Sequence, residues 1–166
     1  IITNMIHMIE LNSTFIPTLK NIFGENSNIY NENFLDHEKN KYNFVIGNPP
    51  YNSYHVKNEP GHINIWQAFI KKAFMVLKSK GSLLFITPSI WMKNTHTIFP
   101  YMLQYNIKKL HTMNNQETSR LFHGKAQIPS CYFLITKILR HKHPRLRPIS
   151  IYDKSIHKYI KFNTNM

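Results

Sequence analysis

Residues 44 to 52 of this 166-residue chain read Phe-Val-Ile-Gly-Asn-Pro-Pro-Tyr-Asn, and this stretch decides the fold. The apolar run before Gly47 is short and partly β-branched, which is typical of a buried strand. Pro49 and Pro50 cannot continue a strand, because their nitrogens carry no hydrogen to donate. The chain therefore leaves the sheet at Gly47 in a stiff conformation. In open α/β sheets, ligands bind at this point, beyond the carboxyl end of a strand.

The polar groups that follow the strand suit an exocyclic amine. The side-chain oxygen of Asn48 is a hydrogen-bond acceptor, and the carbonyl of Pro49 is a second one. Two fixed acceptors bind both hydrogens of an amine, which draws its lone pair out of conjugation with the ring and makes the nitrogen nucleophilic. Tyr51 offers a flat face for a base, and such stacking is worth about 1–3 kcal/mol per base. The base must be single-stranded or flipped out of a duplex.

The tetrapeptide Asn48-Pro49-Pro50-Tyr51 after an apolar strand resembles the catalytic motif of S-adenosylmethionine-dependent amino-methyltransferases. The closest resemblance is to the N6-adenine DNA methyltransferases of restriction–modification systems. It implies a three-layer, Rossmann-like α/β fold with a mostly parallel sheet, four catalytic motif residues, and a cofactor contact by Asn48. Glutamine methyltransferases acting on release factors share the tetrapeptide, and some RNA guanine methyltransferases carry a near variant. A protein glutamine or an RNA amine therefore stays open as the acceptor.

The sequence after the motif strengthens the resemblance to the DNA enzymes. Apolar residues recur at intervals of three and four over residues 64–80, which predicts a helix with one buried face. Gly81 is expected to end this helix. The apolar run 82–86 then leaves the sheet through Thr87-Pro88-Ser89, and this resembles the fifth sheet strand of DNA adenine methyltransferases. The exit favours DNA over the other acceptors.

Two segments upstream of the motif resemble the strand ends that hold the cofactor. Glu10 follows an apolar run, and a carboxylate at that place accepts from the ribose hydroxyls. A surface residue is the alternative interpretation of this glutamate. Asn33, followed by Phe34, stands where the family usually has Asp and a hydrophobic residue, and the Asp accepts from the adenine amine of the cofactor. Asn still accepts through its oxygen but brings no charge, and with a shifted register Glu32 or Asp36 would be the contact.

Two further strands and a second aromatic are expected downstream. Residues 106–110 resemble the sixth strand of the family, and residues 131–136 the seventh. Phe122, in the segment between them, resembles the aromatic that stacks on the target base opposite Tyr51. A core phenylalanine at a turn is the alternative interpretation of Phe122.

One element of the family is missing from the sequence. A glycine-containing cofactor loop is expected about 15–20 residues before Glu10, but the first glycine is Gly24 and the chain starts at Ile1. We therefore expect an N-terminally truncated methyltransferase domain over residues 1–138, without its first strand. Residues 139–166 are predicted to be a basic extension, either a tail or the start of a further segment. A catalytically inactive remnant that binds nucleic acid is a further alternative.

The charge of the chain favours a nucleic-acid partner. Lys and Arg number 21 against 8 Asp and Glu, for a net charge of +13, and the excess concentrates near the C-terminus. Such a charge neutralises phosphates and releases counterions, although a basic run also suits a solvated face. We expect DNA as the partner, and a restriction nuclease or a specificity subunit in the parent system.

Cysteine content and hydropathy narrow the remaining classes. The single cysteine excludes an internal disulfide and is compatible with a reducing compartment, so we expect a cytoplasmic protein. No cysteine cluster supports a zinc site, and no metal is expected. No apolar run reaches the length that spans a membrane.

Overall fold

The computed structural model describes five ranges, which are residues 5–38, 41–52, 64–139, 149–153 and 158–162. The chain forms two compact units, Ile1–Asn40 and Lys41–Met166. The first unit contains a sheet of two strands, and the second a sheet of six. Helices alternate with strands in both units, which confirms the predicted α/β class.

The first unit is built on two short parallel strands. Strand β1 (His7–Ile9) pairs with β2 (Asn28–Tyr30), and helix α1 (Ile16–Phe23) connects them. Pro17 lies in the first turn of α1, where the missing N–H costs nothing. Gly24 follows the helix with a φ of +94°, a conformation that favours glycine. Because the two strands are parallel, their carboxyl ends lie at the same edge of the sheet.

The sheet of the second unit has the order β3-β4-β6-β5-β7-β8. Its strands are β3 (Tyr42–Gly47), β4 (Leu77–Pro88), β5 (Tyr105–Met113), β6 (Ser130–Leu139), β7 (Ile149–Asp153) and β8 (Lys158–Phe162). β3 is parallel to β4, and β5 is parallel to β7. β6 is antiparallel to both of its neighbours, and β8 is antiparallel to β7. The sheet is therefore mixed, and β6 inserts between two strands that precede it in the chain.

Three helices connect these strands: α2 (Trp66–Val76), α3 (Phe99–Leu103) and α4 (Asn115–Leu121). Alternate side chains of β4 and β6 point to the same face of the sheet, and the apolar side chains of α2 are buried with them. Phe74 of α2 also stacks on Tyr105 of β5, with the ring centres 4.1 Å apart. Large core residues of these elements, each at most 3% exposed, include Trp66, Ile70, Phe74, Leu83, Phe85, Phe133 and Ile135.

The strand before the motif is less buried than its sequence predicts. Phe44 is 50% exposed and Ile46 is 70% exposed. Their paired residues on β4, Ser82 and Leu84, are only half-buried. Among the described strands β3 is the edge of its sheet, so this face of the strand has few partners. The strand itself is confirmed, but its burial on both faces is not observed.

The helix predicted over residues 64–80 is shorter than expected. α2 ends at Val76, and β4 begins four residues before Gly81. The prediction that Gly81 ends the helix was therefore wrong. A Cβ at Gly81 would lie 3.0 Å from the Lys78 carbonyl oxygen and 3.1 Å from that of Asn43. This glycine permits a close approach of backbones inside a strand.

The downstream strands agree with the sequence. Strands β5 and β6 confirm the strands predicted at 106–110 and 131–136. β7 and β8 lie within the predicted extension 139–166 and pair into the sheet, while the domain boundary at residue 138 stays a prediction. Many of the C-terminal basic residues, and residues 53–63 after the motif, lie outside the described residues. Within the described ranges, no helix is long and apolar enough to cross a membrane.

Candidate active site

The motif lies where β3 leaves the sheet. β3 ends at Gly47, as the sequence predicts, and residues 48–50 continue without regular structure. Pro49 is buried, whereas Asn48 and Pro50 are exposed. The side-chain amide of Asn48 makes no hydrogen bond with any described residue. The described residues therefore leave its oxygen available to accept a hydrogen bond from a ligand.

Gly47 determines how closely the motif approaches β4. It pairs with Phe85 across the two parallel strands, and a Cβ at Gly47 would lie 3.0 Å from Cε1 of the Phe85 ring. Phe85 is itself 3% exposed, so the ring has little room to move. A glycine is needed here for close packing. The sequence indicated the end of the strand at Gly47 but not this contact.

Tyr51 is attached to the start of β6. Its hydroxyl oxygen lies 3.3 Å from Oγ of Ser130, and the Ser130 hydroxyl donates to the carbonyl of Ile128 at 3.2 Å. Burial raises the pKa of Tyr51. The phenol is therefore neutral at physiological pH. Sequence reasoning assigned Tyr51 to the site but missed Ser130.

The loop before β6 is held in place by the end of β4. Ser89 follows β4 directly, and both its backbone N–H and its hydroxyl donate to the carbonyl of Pro129, at 2.9 and 3.1 Å. Pro88 of β4 is paired with Ser130. The predicted Thr87-Pro88-Ser89 exit thus binds the loop that carries the partner of Tyr51. Three distant segments meet at this edge of the sheet: residues 49–51, 88–89 and 128–130.

Phe122 lies between α4 and this loop. The helix begins with a reciprocal capping box, in which the side chains of Asn114 and Glu117 each accept from the other residue's backbone N–H. It ends at Phe122, which is half-buried, and Gly124 turns the chain at a φ of +80°. Among the described residues no ring contact joins Phe122 to Tyr51. The stacking role of Phe122 stays a prediction.

Three of the predicted cofactor residues, Glu10, Asn33 and Phe34, lie in the first unit. Glu10 directly follows β1, and its carboxylate accepts from the backbone N–H of Asn12 at 2.7 Å. Asn33 lies beyond the end of the parallel strand β2, and its side-chain oxygen accepts from the N–H of Leu35 at 3.1 Å. This bond caps the short 3₁₀ helix that starts at Phe34. A carboxylate and an amide at one sheet edge suit the hydroxyls and the amine of a nucleoside.

Glu32 and Asp36, the alternatives to Asn33 as the cofactor contact, differ in burial and in hydrogen bonding. The Glu32 carboxylate is hydrogen-bonded to the fully buried side chain of His37, which occupies one of its oxygens. Asp36 is exposed. Asn33 still has a second lone pair on its oxygen and two amide hydrogens. The residues of the first unit therefore fit an adenosine group, and Asn33 keeps enough hydrogen-bonding capacity for its predicted role.

The Cys131 thiol and the arrangement of possible metal ligands in the described residues bear on nucleophilic and metal chemistry. Cys131 is buried, and its thiol contacts Trp91 and Thr87. Burial raises the pKa of this thiol to about 11, so it is a poor nucleophile. In the same ranges, no group of three or more His, Cys, Asp or Glu side chains is arranged to hold a metal ion.

Solved structures with the same fold define the class. A class I S-adenosylmethionine-dependent methyltransferase structure from Listeria monocytogenes matches with a TM-score of 0.54 and 14% identity, over 78% of this chain and 43% of that chain. The M protein of the type I restriction enzyme EcoKI matches with a TM-score of 0.65 and 14% identity, over 89% of this chain and 35% of that chain. A type I methyltransferase subunit from Streptococcus thermophilus matches with a TM-score of 0.62 and 18% identity, over 95% of this chain and 39% of that chain. The chain therefore has the class I methyltransferase fold and spans less than half the length of these structures.

A family model that matches the sequence gives the family of this chain. The chain belongs to the Eco57I restriction-modification methylase family, whose model matches residues 2–122. A comparison with curated protein sequences finds no match. The family and the fold confirm the prediction of a restriction–modification methyltransferase with a Rossmann-like α/β fold. S-adenosylmethionine is the cofactor of this class of enzymes.

Proposed function

We propose that this chain carries the catalytic site of an enzyme that methylates the N6 amine of adenine in DNA. The observation that carries the proposal is the end of β3, where the exposed Asn48 amide, which no described residue binds, precedes an anchored Tyr51 ring. The Eco57I family and the net charge of +13 support DNA as the substrate.

The residues of the motif would bind and activate the amine. The Asn48 oxygen and the Pro49 carbonyl accept its two hydrogens, which makes the nitrogen lone pair available for attack. Tyr51 stacks on the flipped base, and Phe122 is proposed for its opposite face. S-adenosylmethionine supplies a methyl group on a positively charged sulfur. The nitrogen forms its bond to carbon as the carbon–sulfur bond breaks, and the amine then loses a proton to solvent.

Four residues are proposed to contact the cofactor. Glu10 is proposed to accept from the ribose hydroxyls, and Asn33 with Phe34 to contact the adenine. Asn48 is proposed to contact the cofactor as well as the substrate. Alignment of the nitrogen with the methyl group would supply much of the rate acceleration. Proposed partners are DNA and, in the parent system, a specificity subunit or nuclease, with the cytoplasm as the location.

The test compares two asparagine substitutions. Purified chain and its Asn48→Ala and Asn94→Ala variants are incubated with S-adenosylmethionine and unmethylated genomic DNA, and N6-methyladenine is measured by nucleoside mass spectrometry. Asn94 is an exposed loop residue and serves as the control. Losing one polar contact to the reacting group is expected to lower the rate about 10²-fold. Undiminished methylation by Asn48→Ala would refute the role of Asn48.

The same experiment separates the alternatives. RNA and protein substrates are analysed in parallel, and methylation confined to either one would replace DNA as the acceptor. Calorimetric titration with S-adenosylmethionine tests the inactive remnant, because a remnant is expected to bind no cofactor. A chain that binds DNA but not S-adenosylmethionine would support the remnant.

A further inference from the structure

The hydroxyl of Tyr51 connects the motif to the start of β6. Two prolines precede Tyr51 and restrict its backbone, but the ring can still rotate about its two side-chain bonds. A hydrogen bond at the far end of the ring removes this freedom. The Tyr51 hydroxyl makes that bond with Oγ of Ser130, at 3.3 Å and across 79 residues of sequence.

The direction of the hydrogen bonds follows from the number of protons. Ser130 has one hydroxyl hydrogen, which it donates to the carbonyl of Ile128. Its oxygen lone pairs are then left to accept from the Tyr51 hydroxyl. The result is a short chain of two hydrogen bonds, from the phenol to the serine and from the serine to the backbone. Both hydroxyls have a defined orientation in this arrangement.

Ser130 is a rigid point of attachment. It is completely buried and is the first residue of β6. Its backbone pairs with Pro88 on one side and with Met113 on the other. The preceding loop is held by Ser89 through the carbonyl of Pro129. The serine therefore cannot follow the ring if the ring rotates.

We propose that Ser130 is a positioning residue that fixes the plane of the Tyr51 ring on which the target base stacks. The proposal rests on the proposed function for its catalytic consequence, while the hydrogen bond itself can be tested without substrate. A ring already held in the stacking plane loses less conformational freedom when the base arrives. Loss of the bond is therefore expected to lower kcat and to leave binding of S-adenosylmethionine unchanged.

The first test is spectroscopic and needs neither cofactor nor DNA. The tyrosines are labelled at the Cζ carbon, and the Tyr51 signal is identified as the one that disappears in Tyr51→Phe. Ser130→Ala is expected to shift this signal at neutral pH and to leave those of the other tyrosines in place. Ser82→Ala, which removes a hydroxyl that pairs with Thr136 farther along β4 and β6, is expected not to move it. An unmoved signal in Ser130→Ala, or an equal shift in Ser82→Ala, would overturn the proposal.

The second test measures methyl transfer. A neutral hydrogen bond corresponds to a factor of about 2 to 10 in an equilibrium or rate. Ser130→Ala and Tyr51→Phe are each expected to lower kcat by about that factor, and the double variant is expected to lose no more than either single one. Multiplying losses in the double variant would show that the two residues act independently, which contradicts the proposal.

The two tests distinguish the two possible failures. If the unmodified chain methylates no substrate but Ser130→Ala shifts the Tyr51 signal, the proposed function fails and the positioning role of Ser130 stands. If the chain is active and the Tyr51 signal does not shift, only the positioning role fails. Thermal unfolding of each variant, compared with the unmodified chain, identifies any loss of activity that comes from unfolding.

Discussion

Lys137 offers a test of how the core of the second unit is held together. It lies on β6, and its ammonium donates to the carbonyl oxygens of Phe74 and Leu77, at 2.5 and 2.8 Å. Both carbonyls are at the C-terminal end of α2, where backbone acceptors have no partner within the helix. The substitution Lys137→Met keeps most of the apolar stem and removes both hydrogen bonds. We expect it to destabilise the fold.

The magnitude can be worked from these contacts. Hydrogen bonds from a charged donor contribute about 1.5–3 kcal/mol each, and a cation at a helix C-terminus adds about 0.3–1 kcal/mol. Two effects reduce this stabilisation. The first is that burial, and then the charge of Lys41, lower the pKa of Lys137. The second is that Lys41 keeps its own bond to the Met75 carbonyl at the same helix end. We therefore expect a net loss of about 2 kcal/mol, below the sum of the contacts.

The measurement is urea unfolding followed by tryptophan fluorescence. Trp66 and Trp91 are both 1% exposed, so their emission reports the loss of the core. The control is Lys109→Met on the adjacent strand β5, where the lysine is exposed and the expected change is within about 0.5 kcal/mol. If Lys137→Met loses no more stability than Lys109→Met, the two hydrogen bonds do not stabilise the helix end and the reasoning is refuted.

Two further outcomes follow from the packing around the site. Cys131, the single cysteine, is expected to resist thiol reagents in the folded chain, because burial raises its pKa to about 11 and the thiolate forms only as the pH rises toward that value. Rapid labelling at neutral pH without denaturant would contradict this expectation. Rapid labelling in urea is the positive control. Gly47→Ala is expected to cost about 1–3 kcal/mol through overpacking against Phe85, measured by the same urea titration; an unchanged midpoint would show that the Phe85 ring moves aside without cost.

Local patterns account for the elements that the sequence predicted correctly. The end of β3 at Gly47 follows from two consecutive prolines, and the strands β5 and β6 follow from short apolar runs. The end of α2 was placed too late, because apolar spacing continues through Leu77 although that residue pairs with Tyr42. A contact between residues so far apart in sequence cannot be read from the apolar spacing within one helix. The exposure of Ile46 was missed for a related reason, since burial depends on neighbouring strands.

The candidate site was predictable only in part. Asn48 and Tyr51 were proposed as site residues because the tetrapeptide Asn48-Pro49-Pro50-Tyr51 carries them. Ser130 was missed, because an isolated serine has no pattern and its partner lies 79 residues away. The dipeptide Pro129-Ser130 before an apolar run is the only local sign of it. Glu10 is placed by the structure at the strand end where the sequence predicted it.

The position of β6 also has a consequence for synthesis on the ribosome. β6 pairs with β4 on one side and with β5 on the other, yet it follows both in the chain. Until it emerges, the nascent polypeptide holds two strands that lack their common partner, and Tyr51 has no Ser130 to bind. Contacts of such long sequence separation form slowly, and unpaired strand edges promote association. The nascent chain is therefore most exposed to misassembly in the interval between the synthesis of β4 and that of β6.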